Sequence, residues 1–295
     1  MARSARRGRL LHSTCLGVGL MFAAPAEPIW AGRHATTQAL APPLVVPFHT
    51  TRGNLVTVHG AIGHIDDLQF LVDTGTSRTV IDARLARELR LHGEPDFLST
   101  FGQTLSAQRV AVPEIRVGPI RARHRSVLAA DLSEAAGRVG FRLDAIVGVD
   151  VLTGHCMVVD YRARLVGFSC GTEWRATAPC NPDALLPVVL ARIDGRTHRL
   201  LVDTGAEVLA LFERAAAPHA DPQRSEELGA DSLAGKLRLR RFLADEVRIG
   251  PRRLRRQHVF VLPGGDDDPR FDGILAVSAL APRVQIDLDR MAIRW

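Results

Sequence analysis

Two short segments hold the residues best suited to chemistry: Phe70-Leu-Val-Asp-Thr-Gly-Thr76 and Leu200-Leu-Val-Asp-Thr-Gly-Ala206. In each, an apolar run ends in Asp, Thr and Gly, and the aspartates Asp73 and Asp203 stand 130 positions apart. A buried strand fixes where its carboxylate emerges. Gly75 and Gly205 then allow a turn sharp enough for backbone N–H groups to reach the carboxylate oxygens. Thr74 and Thr204 offer hydroxyls that can bond across to a partner loop. One Asp-Thr-Gly alone is an ordinary strand-ending turn, but two in symmetry-related units would face each other across a pseudo-twofold axis. Carboxylates a few Å apart do not readily both ionise, so they share a proton and titrate as a pair. The ionised member can take a proton from water while the protonated member hydrogen-bonds a substrate carbonyl. That is general acid–base hydrolysis with no covalent intermediate.

The elements around these loops repeat in the same order. Ile115-Arg-Val-Gly-Pro119 returns as Val247-Arg-Ile-Gly-Pro251. Leu143 to Leu152 returns as Phe271 to Leu280, and Asp160 to Phe168 as Asp287 to Trp295. Constant order at nearly constant offset marks a duplicated domain. Each unit reads as short strands, such as Val56-Thr-Val58 and Val188-Val-Leu190, with Asp194-Gly195 as a hairpin turn. One helix is predicted in the first unit, over Ala83 to Leu91, capped by Asp82 and ended by His92-Gly93. Its counterpart, Leu211 to Ala217, is cut short by Pro218. The expected fold is all-β, with a first lobe over 44–170, a connector over 171–183 and a second lobe over 184–295.

These residues resemble the retropepsin-like aspartic proteases, in the single-chain, two-lobed form of exported bacterial members. In that family each lobe supplies one apolar-Asp-Thr-Gly loop and a later apolar-apolar-Gly segment behind it, matched here by Ile146-Val147-Gly148 and Ile274-Leu275-Ala276. The resemblance implies a cleft between lobes and endopeptidase activity on peptide or protein substrates, with no metal or other cofactor. Asp73 and Asp203 would be catalytic, supported by Thr74, Gly75, Thr204 and Gly205. Substrate-covering flaps would lie in Thr100 to Ala107 and Ala230 to Gly235, at Phe101, Gly102 and Gln103 and at Leu233, Ala234 and Gly235. The only tyrosine, Tyr161, is in a later turn, so the tyrosine typical of the pepsin flap is missing. Ala276 replaces the usual glycine, and Ala206 lacks the hydroxyl of Thr76. The expected molecule is a pseudo-dimeric monomer. The alternative is a catalytically inactive peptide-binding protein of the same fold.

Composition bounds the rest. A chain of 295 residues, 46% apolar and 24% charged, is neither disordered nor collagenous nor a disulfide-stapled miniprotein. The net charge of +6 is concentrated at the start, where residues 1–26 hold four arginines and no acid; beyond them stand 34 basic and 32 acidic residues. Bulk charge therefore gives no reason to expect a nucleic-acid partner. Residues 1–26 read as a signal peptide, with an apolar stretch from Leu16 to Ala24, and 27–43 as a leader or linker. Export to the periplasm or beyond follows, with no stable membrane span after signal removal. Cys156, Cys170 and Cys180 then allow one bridge, Cys156–Cys170 or Cys170–Cys180, which the sequence leaves open. Asp144 and Asp272 read as turn caps, Asp266 to Asp268 as a solvated loop, and His59 and His64 as surface or turn histidines. The runs Arg121, Arg123, Arg125 and Arg252, Arg253, Arg255, Arg256 read as decoration of exposed strands.

Overall fold

Short apolar runs punctuated by turns build strands throughout the chain. The computed structural model describes residues 45–49, 54–100, 103–182, 184–219, 226–232, 235–263 and 270–295. The expected signal and leader segments, 1–26 and 27–43, lie outside them, as do Asp266 to Asp268. The first half contains β1 (Val45–Pro47), β2 (Thr57–Ile62), β3 (Ile65–Val72), β4 (Val80–Asp82), α1 (Ala83–Glu88), β5 (Gly93–Thr100), β6 (Gln103–Val117), β7 (Ile120–Ala130), α2 (Ser133–Val139), β8 (Ala145–Val147), α3 (Val149–Leu152), β9 (Cys156–Asp160) and β10 (Leu165–Gly167). After β11 (Thr177–Pro179), the second half has β12 (Val188–Ile193), β13 (Arg196–Asp203), β14 (Leu209–Phe212), α4 (Glu213–Ala216), β15 (Glu226–Ser232), β16 (Gly235–Ile249), β17 (Arg252–Leu262), β18 (Gly273–Ala276), α5 (Val277–Leu280), β19 (Arg283–Asp287) and β20 (Ala292–Arg294).

The duplication read from sequence is a duplication of topology. One seven-stranded sheet runs β2-β3-β8-β4-β7-β6-β5 and the other β12-β13-β18-β14-β17-β16-β15. Extra pairings, β2 with β6 and β12 with β16, close each sheet into a barrel. Asp194 and Gly195, at φ 45° and 81°, form the β12–β13 turn, which needs two left-handed residues to match the strand twist. A third sheet, β1-β10-β9-β19-β20-β11, takes strands from both halves. Its central pair, β9 with β19, runs from Arg283↔Asp160 to Asp287↔Cys156. One apolar core spans both barrels, and a smaller cluster including Leu55, Leu98, Leu132 and Val139 lies between the β5–β6 hairpin and α2.

Helix content departs from the expected single helix. α1 is present with Asp82 as its cap, but it stops at Glu88, because Arg90 turns left-handed at φ 53°. Leu211 and Phe212 belong to β14, so only Glu213–Ala216 is helical there. The first half also holds α2 and α3. α2 escapes a sequence reading because no side chain caps it and Gly137 sits inside it. α3 and α5 are single turns that follow the segments behind the Asp-Thr-Gly loops.

The open cysteine pairing resolves as Cys156–Cys170, with Cα atoms 5.2 Å apart, because the β9–β10 hairpin returns the chain beside its start. Cys180 is free and buried. No helix among the described residues is long and apolar enough to cross a membrane.

Candidate active site

Asp73 and Asp203 each leave the end of a central barrel strand held from both sides. In the first barrel β3 runs parallel to β8, and the Asp73 N–H donates to the Val147 carbonyl at 2.9 Å. In the second, β13 runs parallel to β18 and Asp203 pairs with Ala276. Both aspartates are buried, at 1% and 0% exposure. The Gly75 N–H donates to Asp73 Oδ1 at 2.7 Å, and the Gly205 N–H donates to Asp203 Oδ1 at 2.6 Å. Each glycine also lies against the opposite carboxyl. A Cβ on Gly75 would fall 2.5 Å from Asp203 Cγ, and one on Gly205 would fall 2.6 Å from Asp73 Cγ. Any side chain there would drive the two loops apart.

The threonines tie one loop to the other. Thr74 N–H donates to Thr204 Oγ1 at 3.0 Å, and Thr204 N–H donates to Thr74 Oγ1 at 3.2 Å. Their hydroxyls continue across, Thr74 to the Val202 carbonyl at 2.8 Å and Thr204 to the Val72 carbonyl at 2.7 Å. Four reciprocal bonds between buried groups fix the separation of the carboxyls.

Electrostatics splits this nearly symmetric pair. Burial pushes Asp73 up to about 6, partly offset by its interaction with Asp203 and by the N–H groups of Gly75 and Thr76. Burial pushes Asp203 well above the carboxylate range, and the charge on Asp73 raises it further. Both carboxyls therefore hold a proton more readily than an exposed aspartate does. The buried Asp203 Oδ2 receives no N–H or hydroxyl hydrogen bond among the described residues, and the Asp73 carboxyl is the hydrogen-bonding side chain beside Asp203.

The segments behind the loops differ between halves. Gly148 passes so close to the first loop that a Cβ would meet Thr76 Cγ2, Thr76 O and the Arg78 carbonyl carbon, each at 2.9 Å. Ala276 is fully buried in the equivalent position, but there the backbone takes φ −59°, ψ 125°, against −92° and −179° at Gly148. The residue that matches Thr76 in the second half is Ala206, which has no Cγ2.

A polar clamp in the first half was not read from sequence. Asp150 accepts from the Thr79 N–H at 2.9 and 3.0 Å and from the Thr79 hydroxyl at 2.7 Å. Thr79 Oγ1 in turn accepts from the Gly148 N–H at 3.1 Å. The corresponding residues of the second half are Leu209 and Ser278, so the internal repeat gives no signal for it.

Of the expected flap residues, Gln103 opens β6 and Gly235 opens β16; Phe101, Gly102, Leu233 and Ala234 lie outside the described residues. The strands flanking them form hairpins whose last pairs are Thr100↔Gln103 and Ser232↔Gly235. Asp144 accepts from the Gln69 N–H at 2.8 Å and pairs with Arg84 and Arg142; Asp272 does the same for the Arg199 N–H and guanidinium. Both therefore anchor barrel strands, away from the dyad. His59 is an exposed partner of Asp67, and His64 sits in an exposed turn.

A family model described as "Aspartyl protease" matches residues 56–151 and 189–279, one stretch in each barrel. No curated protein matches the chain.

Proposed function

The chain belongs to the aspartyl protease family, and we propose that it is an endopeptidase that cleaves peptide bonds with a water activated between Asp73 and Asp203. The observation that carries this reading is the pair of buried carboxyls, each bonded by its own glycine N–H, pressed against the opposite loop's glycine and raised by burial. Asp73, the more acidic member, takes a proton from the attacking water. Asp203 donates its proton to the carbonyl oxygen as the tetrahedral diol forms. Return of a proton to the amide nitrogen then lets the C–N bond break. The hydrogen bonds among Thr74, Thr204 and the two carbonyls keep the carboxyls from moving as charge passes between them. The β5–β6 and β15–β16 hairpins would cover an extended substrate. Export to an oxidising compartment is supported by the signal-like segment 1–26 and by the Cys156–Cys170 bridge.

The test is incubation of the chain from Glu27 onward with a mixed peptide library between about pH 3 and 8, beside Asp73→Asn and Asp203→Asn. Cleavage lost in both variants is the expected result. No cleavage by a folded parent would favour a catalytically inactive peptide-binding protein, and cleavage surviving in both variants would remove these aspartates from the site.

A further inference from the structure

The second barrel carries a row of like charges that strand pairing alone disfavours. Arg192 of β12 stands directly opposite Arg248 of β16, and Arg248 stands directly opposite Arg253 of β17. All three are exposed, so they share the outer face of the barrel. Like charges directly opposite each other destabilise a sheet, yet here three adjacent strands line them up. Glu246 pairs with Arg248 at 3.0 Å and with Arg253 at 2.5 Å, and it is the only carboxylate that reaches the row among the described residues. Arg192 donates to the Gly195 carbonyl, and Arg255 and Arg256, one step along β17, form no ion pair among the described residues.

The first barrel does not share this excess. Its equivalent, Arg116 opposite Arg121, has Ala61 in the third position and two acids, Glu114 and Asp66, within ion-pair distance. The duplication thus kept the hairpin and changed its charge on one side only. A hydrophobic residue accompanies the basic row. Leu190 lies two residues before Arg192 on the same strand and face, and it is 64% exposed.

We propose that this outer face of the second barrel binds an anionic lipid surface, with the arginines on phosphate headgroups and Leu190 entering the boundary beneath them. Adjacent basic and apolar side chains are what a headgroup layer accommodates. A nucleic acid, by contrast, is gripped by arginines interleaved with stacking aromatics, and β12, β16 and β17 expose none on this face. The proposal stands apart from the peptidase reading and does not depend on it.

Co-sedimentation with vesicles tests it, using the chain from Glu27 onward, which retains every described element, with the full chain alongside. Vesicles of phosphatidylglycerol and phosphatidylcholine should retain the protein, and phosphatidylcholine alone should not. Replacing Arg192, Arg248 and Arg253 together by Gln should weaken partitioning on the order of 100-fold, since each arginine near an anionic surface is worth roughly five-fold. The same charge change in the first barrel, Arg121, Arg123 and Arg125 to Gln, should have a much smaller effect. Leu190→Ser should weaken binding with net charge unchanged. Absence of anionic-vesicle binding would overturn the proposal, as would equal losses from the two triple variants. So would retention by single-stranded DNA that exceeds vesicle binding and ignores Leu190→Ser.

Discussion

Thr204→Val keeps the shape of a buried side chain and deletes its hydroxyl. Two hydrogen bonds go with it, the 2.7 Å bond to the Val72 carbonyl and the 3.0 Å bond received from the Thr74 N–H. Both stranded groups stay inside the protein, because Val72 and Thr74 are each 0% exposed. A buried polar group without its partner costs roughly 1–3 kcal/mol, so the two together should cost about 2–6 kcal/mol. That is a large share of the ~5–15 kcal/mol by which domains are stable. Thr204→Ser retains both bonds and loses one methyl, worth about 1 kcal/mol. Thr74→Val should resemble Thr204→Val, since it removes the mirror-image bonds to the Val202 carbonyl and from the Thr204 N–H. Urea unfolding followed by tryptophan fluorescence and far-ultraviolet circular dichroism would measure all three. Peptide cleavage should fall with stability in the valine variants, because the same bonds set the carboxyl separation. A Thr204→Val protein within about 1 kcal/mol of Thr204→Ser would refute the reasoning: the inter-loop bonds would then be replaceable by water or by rearrangement.

Other expectations follow from the same geometry. The pH dependence of kcat/KM should show an acid limb near 6, where Asp73 loses its proton; an optimum below about pH 4 would contradict the burial argument. Both folded-state pKa values lie above the unfolded value, so the dyad's contribution to stability is complete below about pH 4 and is lost as pH rises through the folded values. Asp203→Asn should therefore be more stable than the parent at pH 8 but not at pH 3, as denaturant titrations at the two pH values would show. Gly148→Ala should cost about 1–3 kcal/mol from overpacking against Thr76 and Arg78, whereas Ala276→Gly should cost about 1 kcal/mol and leave cleavage unchanged, both measurable by thermal denaturation. Cys156→Ser with Cys170→Ser opens a loop of 14-residue separation and should lower stability by about 3 kcal/mol, a loss that reducing agent should reproduce in the parent.

What the sequence disclosed and what it concealed divide along contact range. The Asp-Thr-Gly loops were legible because strand, carboxylate and glycine are contiguous in the chain, and because the copy at offset 130 supplied the partner. The threonine bonds across the loops followed from the same twofold logic. The Thr79–Asp150 clamp was not legible, since its partners are 71 positions apart and have no echo in the second half. The shared sheet was equally hidden. β1, β10, β11 and β20 are three residues each, too short for alternation to register, and the pairings that join the sheet, β1 with β10, β9 with β19 and β11 with β20, are distant in sequence. The arginine runs were visible as exposed strands, but only the register of β12 on β16 reveals that Arg192 completes a row. Ala276 stands where the resemblance expects glycine, and it fits because the backbone there runs differently from that at Gly148, which no sequence pattern announces.

The six-stranded sheet also sets how the molecule answers to dilution. If the two halves were separate polypeptides, the fraction with both aspartates assembled would fall once concentration dropped below their dissociation constant. Joined through the connector, each half meets the other at an effective concentration on the order of millimolar, whatever the amount of protein present. Activity per molecule should then be the same in a concentrated stock and after extreme dilution. A protease nick in the connector ahead of β11 would change that while leaving every strand of the sheet whole. The nicked protein would remain assembled at first through β9 and β19, the threonine bonds between the loops and the shared core, and lose its site only with time after dilution, so its rate of decay would report how tightly these contacts hold the halves together.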